Sequence, residues 1–436
     1  MLQKFRKHIQ ANFPFLKDKK ILIAISGGLD SVVLTHLFSE LRYAVSLAHC
    51  NFQLRKSASN LDEEFIIKLS QKTSNQIFIK KFETKKYSEK KKISTQIAAR
   101  ELRYDWFQEI IHQHQFDFVL TAHHADDNLE TFLINLTRAS GLDGFTGIPA
   151  INGNIIRPLL PFSRAEILDY SKNNDIEWRE DASNAATKYI RNKIRHQVIP
   201  VLKEINPSLL SSFGKTLENL QESQQILADR IDKVSLEIIE IKDGIIKINI
   251  DKIKALSNPK AYVYELLKEY NFTEWNDVYK LLSAQSGKQV FSKTHRLLKD
   301  RDFLMLTKII ISNDFERFVV DEDQSEITEP IHLTFEKVSK KSTENKQTIY
   351  VDKDLLKYPL TIRKWKIGDY LYPTGMQGKK KLSKFFKDEK FSLFEKENTW
   401  LLCNADNEII WVPNHRQDRR FSSKVSTKNY LKITTL

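Results

Sequence analysis

"ILIAISGGLDSVVLTHLF" spans residues 21–38 and decides the fold. Residues 21–25 are short, apolar, largely β-branched and bounded by a turn signal, the pattern of a strand buried on both faces. Val32, Val33, Leu34, Leu37 and Phe38 then supply the apolar stripe of a helix. The turn between them aims backbone N–H groups and a helix N-terminus at one point, where phosphate is stabilised. Gly27 and Gly28 let the backbone come close, and the Ser26 and Ser31 hydroxyls can donate to phosphate oxygens. Asp30 would repel a bare phosphate, so it makes more sense as a ligand for Mg²⁺ carried by the phosphates. An ordinary strand–turn–helix connection with a capping serine satisfies the same local pattern.

The turn is not a Walker A loop, because no Gly-x-x-x-x-Gly-Lys-Ser/Thr pattern is present. The order Ser-Gly-Gly-Leu-Asp-Ser, directly after an apolar strand, resembles the pyrophosphate loop of the N-type ATP pyrophosphatases. Members of that superfamily cleave ATP between the α and β phosphates and adenylate a substrate. The resemblance implies an ATP site made of Ser26, Gly27, Gly28, Leu29, Asp30 and Ser31, with Asp30 meeting Mg²⁺ while ATP is bound.

Outward from this loop, the first 125 residues alternate strand and helix signals. Strands are predicted at 21–25, 44–52, 76–82 and 117–124, with helices around 31–41, 57–74 and 94–115. That alternation predicts an α/β fold, a Rossmann-type parallel sheet with helices on both faces. Ligands gather at the carboxyl ends of such strands, so Ser26–Ser31, His49–Arg55 and His123–Glu130 should converge on one crevice. From about 140 the chain turns irregular and polar, and 206–234 reads as a long amphipathic helix. Short strand patterns occupy the last ninety or so residues. The expected organisation is a catalytic domain over 1–205, a mostly helical middle domain over 206–345 and a small α+β domain over 346–436.

The chain has 436 residues, enough for about three domains. No apolar run is long enough to span a bilayer, and "MLQKFRKHIQANFPFL" is charged and amphipathic rather than a signal peptide. Cys50 and Cys403 are the only cysteines, too few for a disulfide framework or a Cys-based zinc site. A soluble cytoplasmic protein is expected. The formal net charge of +13 favours a polyanionic partner, most often nucleic acid, although a solvated Lys-rich surface has the same composition.

"TAHHADDNLETF" (121–132) carries Asp126, Asp127 and Glu130 in the first turns of a helix beside His123 and His124. Acidic residues there complement the helix N-terminus, but three of them next to two histidines exceed what capping needs. They could hold Mg²⁺ or a cationic substrate such as an amine. His49, Asn51 and Arg55 close the second strand, where a core histidine and a surface arginine would suffice. Arg100 and Arg103 on "AARELRYDWF" could form ordinary salt bridges, or one could face phosphate during adenyl transfer. "EDASNAATKYIRNKIRH" (180–196) offers Asp181, Ser183, Asn184, Arg191, Asn192, Arg195 and His196, a basic face suited to RNA phosphates or to solvent. Near the end, Lys379, Lys380, Lys381, Lys384 and Lys387 interleave with Tyr370, Tyr372, Phe385 and Phe386. The lysines suit phosphate, while most of those aromatics belong to a core.

With "SGGLDS", "HCNFQLR", "AARELRY", "AHHADDNLET", "RPLL", "DASN", "RNKIRH" and "GDYLYPTGMQGKKKLSKFF" in order, the chain resembles the tRNA(Ile)-lysidine synthetases over nearly its whole length. Phe52 stands where that family usually has a second histidine. The resemblance implies ATP-dependent adenylation of C2 of the wobble cytidine in the CAU-anticodon isoleucine tRNA. Attack by the ε-amine of free L-lysine follows. It points to Asp127 and Glu130 for lysine, to Arg100 or Arg103 for the α-phosphate, and to Arg191, Arg195, Lys379, Lys380, Lys381 and Lys384 for tRNA. A homodimer is compatible with it. The rival readings are a tRNA cytidine thiolase of the same superfamily, which would want a cysteine pair or an iron–sulfur cluster, and an RNA-binding protein that has lost catalysis.

Overall fold

β1 (Ile21–Ala24) pairs in parallel with a strand on each side, β2 (Val45–Asn51) and β4 (Phe118–Leu120). β3 (Ile77–Lys81) extends the sheet beyond β2, and β5 (Ile151–Asn152) with β6 (Ile155–Ile156) extends it beyond β4, in the order β3-β2-β1-β4-β6-β5. Every pairing but β5–β6 is parallel. The computed structural model describes residues 1–55, 57–138, 140–180, 190–242, 244–309 and 317–436. Asp181, Ser183 and Asn184 lie outside the described residues. The chain forms two compact units, Met1–Asp229 and Arg230–Leu436.

In the first unit, alternation along β1 sends its side chains to two cores. Ile21 and Ile23 pack with Phe5 and Ile9 of α1 (Leu2–Asn12), and with Val33 and Leu37 of α2 (Leu29–Glu40). Ile66 of α3 (Ser57–Thr73) joins that cluster. Leu22 faces the other way, against Trp106, Phe107 and Ile110. After α4 (Thr84–Lys91), those three come from α5 (Thr95–His114), whose N-cap Ser94 accepts from the Ile97 amide. α6 (Ala125–Leu136) follows β4, then come α7 (Leu142–Phe145) and α8 (Arg164–Asn173). α9 (Ile190–Lys193), a wider turn over Ile194–Val198, and α10 (Ile199–Ile205) lead to α11 (Leu209–Ile238). Phe213 and Leu217 of α11 share a core with Leu129, Ile194 and Ile199. The first compact unit therefore takes in the N-terminal part of α11, beyond residue 205.

The second unit is richer in strands than its periodicity suggests. Besides α12 (Ile250–Lys254), α13 (Pro259–Leu267) and α14 (Trp275–Lys280), the middle region holds a five-stranded sheet. Its strands are β7 (Ile239–Lys242), β8 (Ile245–Asn249), β9 (Gln289–Phe291), β10 (His295–Asp300) and β11 (Phe303–Lys308), all pairing antiparallel. The strand Arg317–Val320 pairs with Leu360–Lys364, and Leu333–Val338 with Tyr430–Thr435. Residues 317–338 thus fold with strands beyond 346, a long-range pairing that leaves no local signature. Among the described residues no helix is long and apolar enough to cross a membrane.

The second unit also buries a charge. Arg363 is 1% exposed, and its two terminal nitrogens meet Asp369 at 2.8 and 2.9 Å. Asn407 accepts from its Nε at 2.6 Å. Asp369→Ala leaves this guanidinium buried without its counter-charge and should cost about 3–5 kcal/mol. Replacing both partners with apolar residues (Arg363→Met with Asp369→Leu) should recover most of that loss, as read from urea-unfolding midpoints.

Candidate active site

The β1–α2 turn is closed by its own side chains. Gly27 sits at φ +84°, a conformation L side chains rarely adopt, and Gly28 caps α2 with extended geometry. Ser31 Oγ donates to the Gly28 carbonyl at 2.9 Å and accepts from the Ser26 amide at 3.2 Å. At 5% exposure Ser31 latches the turn, whereas Ser26 is exposed, its Oγ 3.2 Å from Ser31 Oγ and accepting from the Gly28 amide at 3.3 Å. The Arg179 amide donates to the Gly27 carbonyl at 2.9 Å. Asp62, 7% exposed, holds that segment through Arg179 Nε at 2.6 Å and also takes Arg55 Nη2 at 2.9 Å. Neither Asp62 nor Arg179 carries a sequence cue. They lie in unrelated stretches that only the fold brings together.

A cavity of about 610 Å³ opens over the ends of β1, β2 and β4. Ser26, Asp30 and Ser31 line it together with His49, Asn51, Arg55, Arg103, His123, Asp127 and Arg191, so the three polar segments converge as expected. Cys50 also lines it, and burial pushes its thiol up to about 12, which keeps it protonated and poorly nucleophilic. Arg103 lies over the Phe52 ring at 5.3 Å, and Phe52 stacks on Phe82. Arg100 does not line the cavity. It is exposed, over the Tyr104 ring at 4.8 Å, because three positions along a helix turn it about 60° away from Arg103.

The acidic cluster divides its work. His124, 2% exposed, caps α6 in a reciprocal box: its amide donates to Asp127 Oδ2 at 3.1 Å and its Nδ1 accepts from the Asp127 amide at 3.4 Å. In the neutral ring the proton then sits on Nε2, which lies 3.5 Å from Asp127 Oδ2 and 3.7 Å from Asp30 Oδ2. Asp126 turns away from the cavity to the Arg164 amide at 2.8 Å and to Lys203 at 2.8 Å. Glu130, 1% exposed, is gripped by Arg195 Nε at 2.5 Å and Arg191 Nε at 2.8 Å. Both arginines also reach Asp127 Oδ1, at 3.3 and 3.5 Å. Expected on an RNA-facing surface, Arg191 and Arg195 instead direct their guanidinium groups at buried carboxylates.

Charge follows this packing. Burial raises the Asp30 carboxyl, with the like charge of Asp127 adding to it and His124, Arg164 and Arg195 opposing. Asp30 Oδ1 is buried without a hydrogen-bond partner. Burial works the same way on Asp127, but His124, Arg191 and His123 outweigh it and hold that carboxyl below its usual range. His123, bonded to Thr121 Oγ1 at 3.0 Å, is lowered to about 4, chiefly by burial and further by Arg157, Arg191 and Arg103. It is neutral at pH 7.

The C-terminal lysines lie in the second unit. The short strands Tyr370–Leu371 and Lys380–Lys381 form a ribbon, followed by α15 (Leu382–Asp388), whose Phe385 and Phe386 are core. Lys379, Lys381 and Lys384 are exposed, Lys379 over the Tyr370 ring at 3.5 Å. Lys380 is half-buried and paired with Asp388 at 2.8 Å.

Three family models match the chain: a PP-loop domain over residues 1–202, a TilS substrate binding domain over 241–309 and a TilS substrate C-terminal domain over 360–433. The chain is 38% identical to the tRNA(Ile)-lysidine synthase of Parabacteroides distasonis over the full length of both. It is 37% identical to that of Bacteroides thetaiotaomicron over 98% of each chain. To that of Bacillus subtilis it is 28% identical, over 91% of this chain and 90% of the other.

Because Glu130 is enclosed by two guanidinium groups, Glu130→Ala strands them and should destabilise the protein by about 3–5 kcal/mol. Thermal or urea unfolding of that variant checks this, and should register the loss whether or not any substrate is present.

Proposed function

The chain belongs to the tRNA(Ile)-lysidine synthase family, and from that premise we propose how its cavity performs the ligation. The enzyme adenylates C2 of the wobble cytidine of the CAU-anticodon isoleucine tRNA with ATP and then joins lysine there. The tRNA's decoding changes from AUG to AUA. In the first step the C2 oxygen bonds to the α-phosphorus and pyrophosphate leaves. In the second the lysine ε-amine bonds to C2 and AMP departs with that oxygen. The observation that carries the reading is the meeting of the phosphate loop, Arg103 and Asp127 around one cavity.

The amides at the α2 N-terminus receive the phosphates, with the exposed Ser26 beside them. Arg103, held on the Phe52 face, is the cavity arginine placed to steady charge on the α-phosphate as pyrophosphate leaves. A divalent cation fits Asp30, which offers a carboxylate oxygen without a partner. Among the described residues no cluster of three or more His, Cys, Asp or Glu forms a ready-made cage, so Mg²⁺ would arrive with the triphosphate. When bound it neutralises phosphate charge. Asp127, held ionised, meets the lysine ammonium, and Glu130 acts behind it as a positioning residue through Arg191 and Arg195. Exposed Lys379, Lys381 and Lys384 supply phosphate attraction for the tRNA.

Radiolabelled lysine, ATP and Mg²⁺ should label a CAU isoleucine-tRNA transcript with release of AMP and pyrophosphate. A transcript with uridine at the wobble position should stay unlabelled. ATP cleavage without lysine incorporation would sink this reading.

Asp30→Asn should lower ATP cleavage by on the order of 100-fold. Asp30 has a folded-state pKa above its unfolded value of about 3.9, so the folded state binds its proton more tightly. Stability is therefore lost as pH rises from that value through the folded pKa. At pH 7 the Asn variant should unfold at a higher urea concentration than the wild type, and the difference should vanish below about pH 4. Unfolding midpoints across pH 3–8 decide it.

A further inference from the structure

His49 is the buried polar group in the cavity for which neither the phosphate loop nor the carboxylates account. It lies near the end of β2, two positions before Asn51, is 5% exposed and lines the cavity. Its Nδ1 lies 3.0 Å from the Ile25 carbonyl, which can only accept, so Nδ1 carries the proton. Burial lowers the affinity of the ring for a second proton. The lone pair on Nε2 is thus fixed as an acceptor, and Nε2 is buried without any hydrogen-bond partner. Orphaned buried acceptors cost free energy, so their persistence at a cavity wall calls for a donor that arrives from outside.

Strand order says which substrate brings that donor. β1 and its phosphate loop lie between β2 and β4. Asp127, where the amine is proposed to bind, belongs to the β4 side, and His49 to the β2 side. With the phosphates over the loop and the amine over β4, the space above β2 is left for the nucleoside half of ATP. Its walls there, Ala24, Ile25 and Ala48, are apolar and suit the face of a base. We infer that His49 Nε2 accepts a hydrogen bond from the nucleoside of ATP, and so helps to choose which nucleotide the enzyme uses. The inference rests on the ATP-dependent reading above. The donors an adenosine can offer an acceptor are its 6-amino group and its ribose hydroxyls. A guanine, with a carbonyl at position 6, would set oxygen against the lone pair there.

The test combines ligand and protein changes. Binding and pyrophosphate release are measured for the full-length wild type with ATP, purine riboside triphosphate (no 6-amino group), 2′-deoxy-ATP and 3′-deoxy-ATP. His49→Leu and His49→Gln are measured in parallel. One analogue should bind the wild type about tenfold more weakly than ATP, and which one it is identifies the donor. His49→Leu should raise the KM for ATP by a similar factor with kcat and the KM for lysine little changed, and it should no longer distinguish that analogue from ATP. His49→Gln, which keeps an acceptor, should recover part of the affinity. The idea is overturned if all three analogues bind the wild type as ATP does, a result that needs no variant to fold. It is equally overturned if His49→Leu alters the KM for lysine or the pH profile of lysine transfer while leaving ATP untouched. Discrimination among the analogues by an enzyme that fails to incorporate lysine would retain this contact and reject the ligation reading instead.

Discussion

A parallel strand buried on both faces has to end in a turn, and there its backbone runs out of partners. β1 meets this constraint at the centre of its sheet, with the ends of β2 and β4 beside it. Its chain cannot continue straight, because α2 must fold back onto Ile21 and Ile23 through Val33 and Leu37. Gly27 makes that reversal at positive φ, and Ser31 ties it off from inside. Amides left without intrahelical partners then face the crevice, and His49, Asn51, His123 and Asp127 from the ends of the neighbouring strands line it too. The location of the site is a consequence of how this sheet is closed.

Electrostatics sets the second layer. Three carboxylates within the first two turns of α6 are more than a helix N-terminus can stabilise, and enclosing them raises the cost. Each is answered separately: Asp126 by Lys203 and the Arg164 amide, Glu130 by Arg195 and Arg191, Asp127 by His124 with a share of both arginines. Arg191, Arg195 and Lys203, cations that composition would assign to an RNA surface, are thereby paired with carboxylates of α6. The surplus of +13 has to be expressed elsewhere, and Lys379, Lys381 and Lys384 in the second unit are among the lysines that remain exposed.

The same division explains what could be read from the sequence. Elements whose signal is local were legible: β1 to β4 and α2, α3 and α5 fall within a few residues of their predicted spans, and α11 begins where its amphipathic pattern begins. The convergence of residues 26–31, 49–55 and 123–130 was legible because parallel topology forces it, although Glu130 itself stands behind the cavity wall rather than in it. Direction was harder. Arg100 and Arg103 sit on one helix, and only packing against Phe52 separates the cavity residue from the exposed one. Arg191 and Arg195 point inward because Glu130 is buried some sixty positions earlier, a fact with no local trace. In the middle region the mixed helix and short-strand signals up to about 310 understate the sheet, since its short strands β7 to β11 are stabilised by cross-strand neighbours rather than by a strong alternation of their own.

The environment of His123 narrows the way in which the amine can be made nucleophilic. A lysine ammonium has to lose a proton before it attacks C2, and a histidine in the cavity invites the role of base. Yet His123 is buried, and Arg157, Arg191 and Arg103 act on it, so it binds a proton only near pH 4. A base that weak cannot hold the proton of an amine whose ordinary pKa is about 10.4. It can accept a hydrogen bond and orient a donor, and its partner Thr121 keeps the ring in place. The surroundings that disfavour the charged imidazole act with the same sign on an ammonium placed beside it, opposed by the single charge of Asp127. If the amine binds at Asp127 as proposed, His123 can orient it but is not the group that holds its proton.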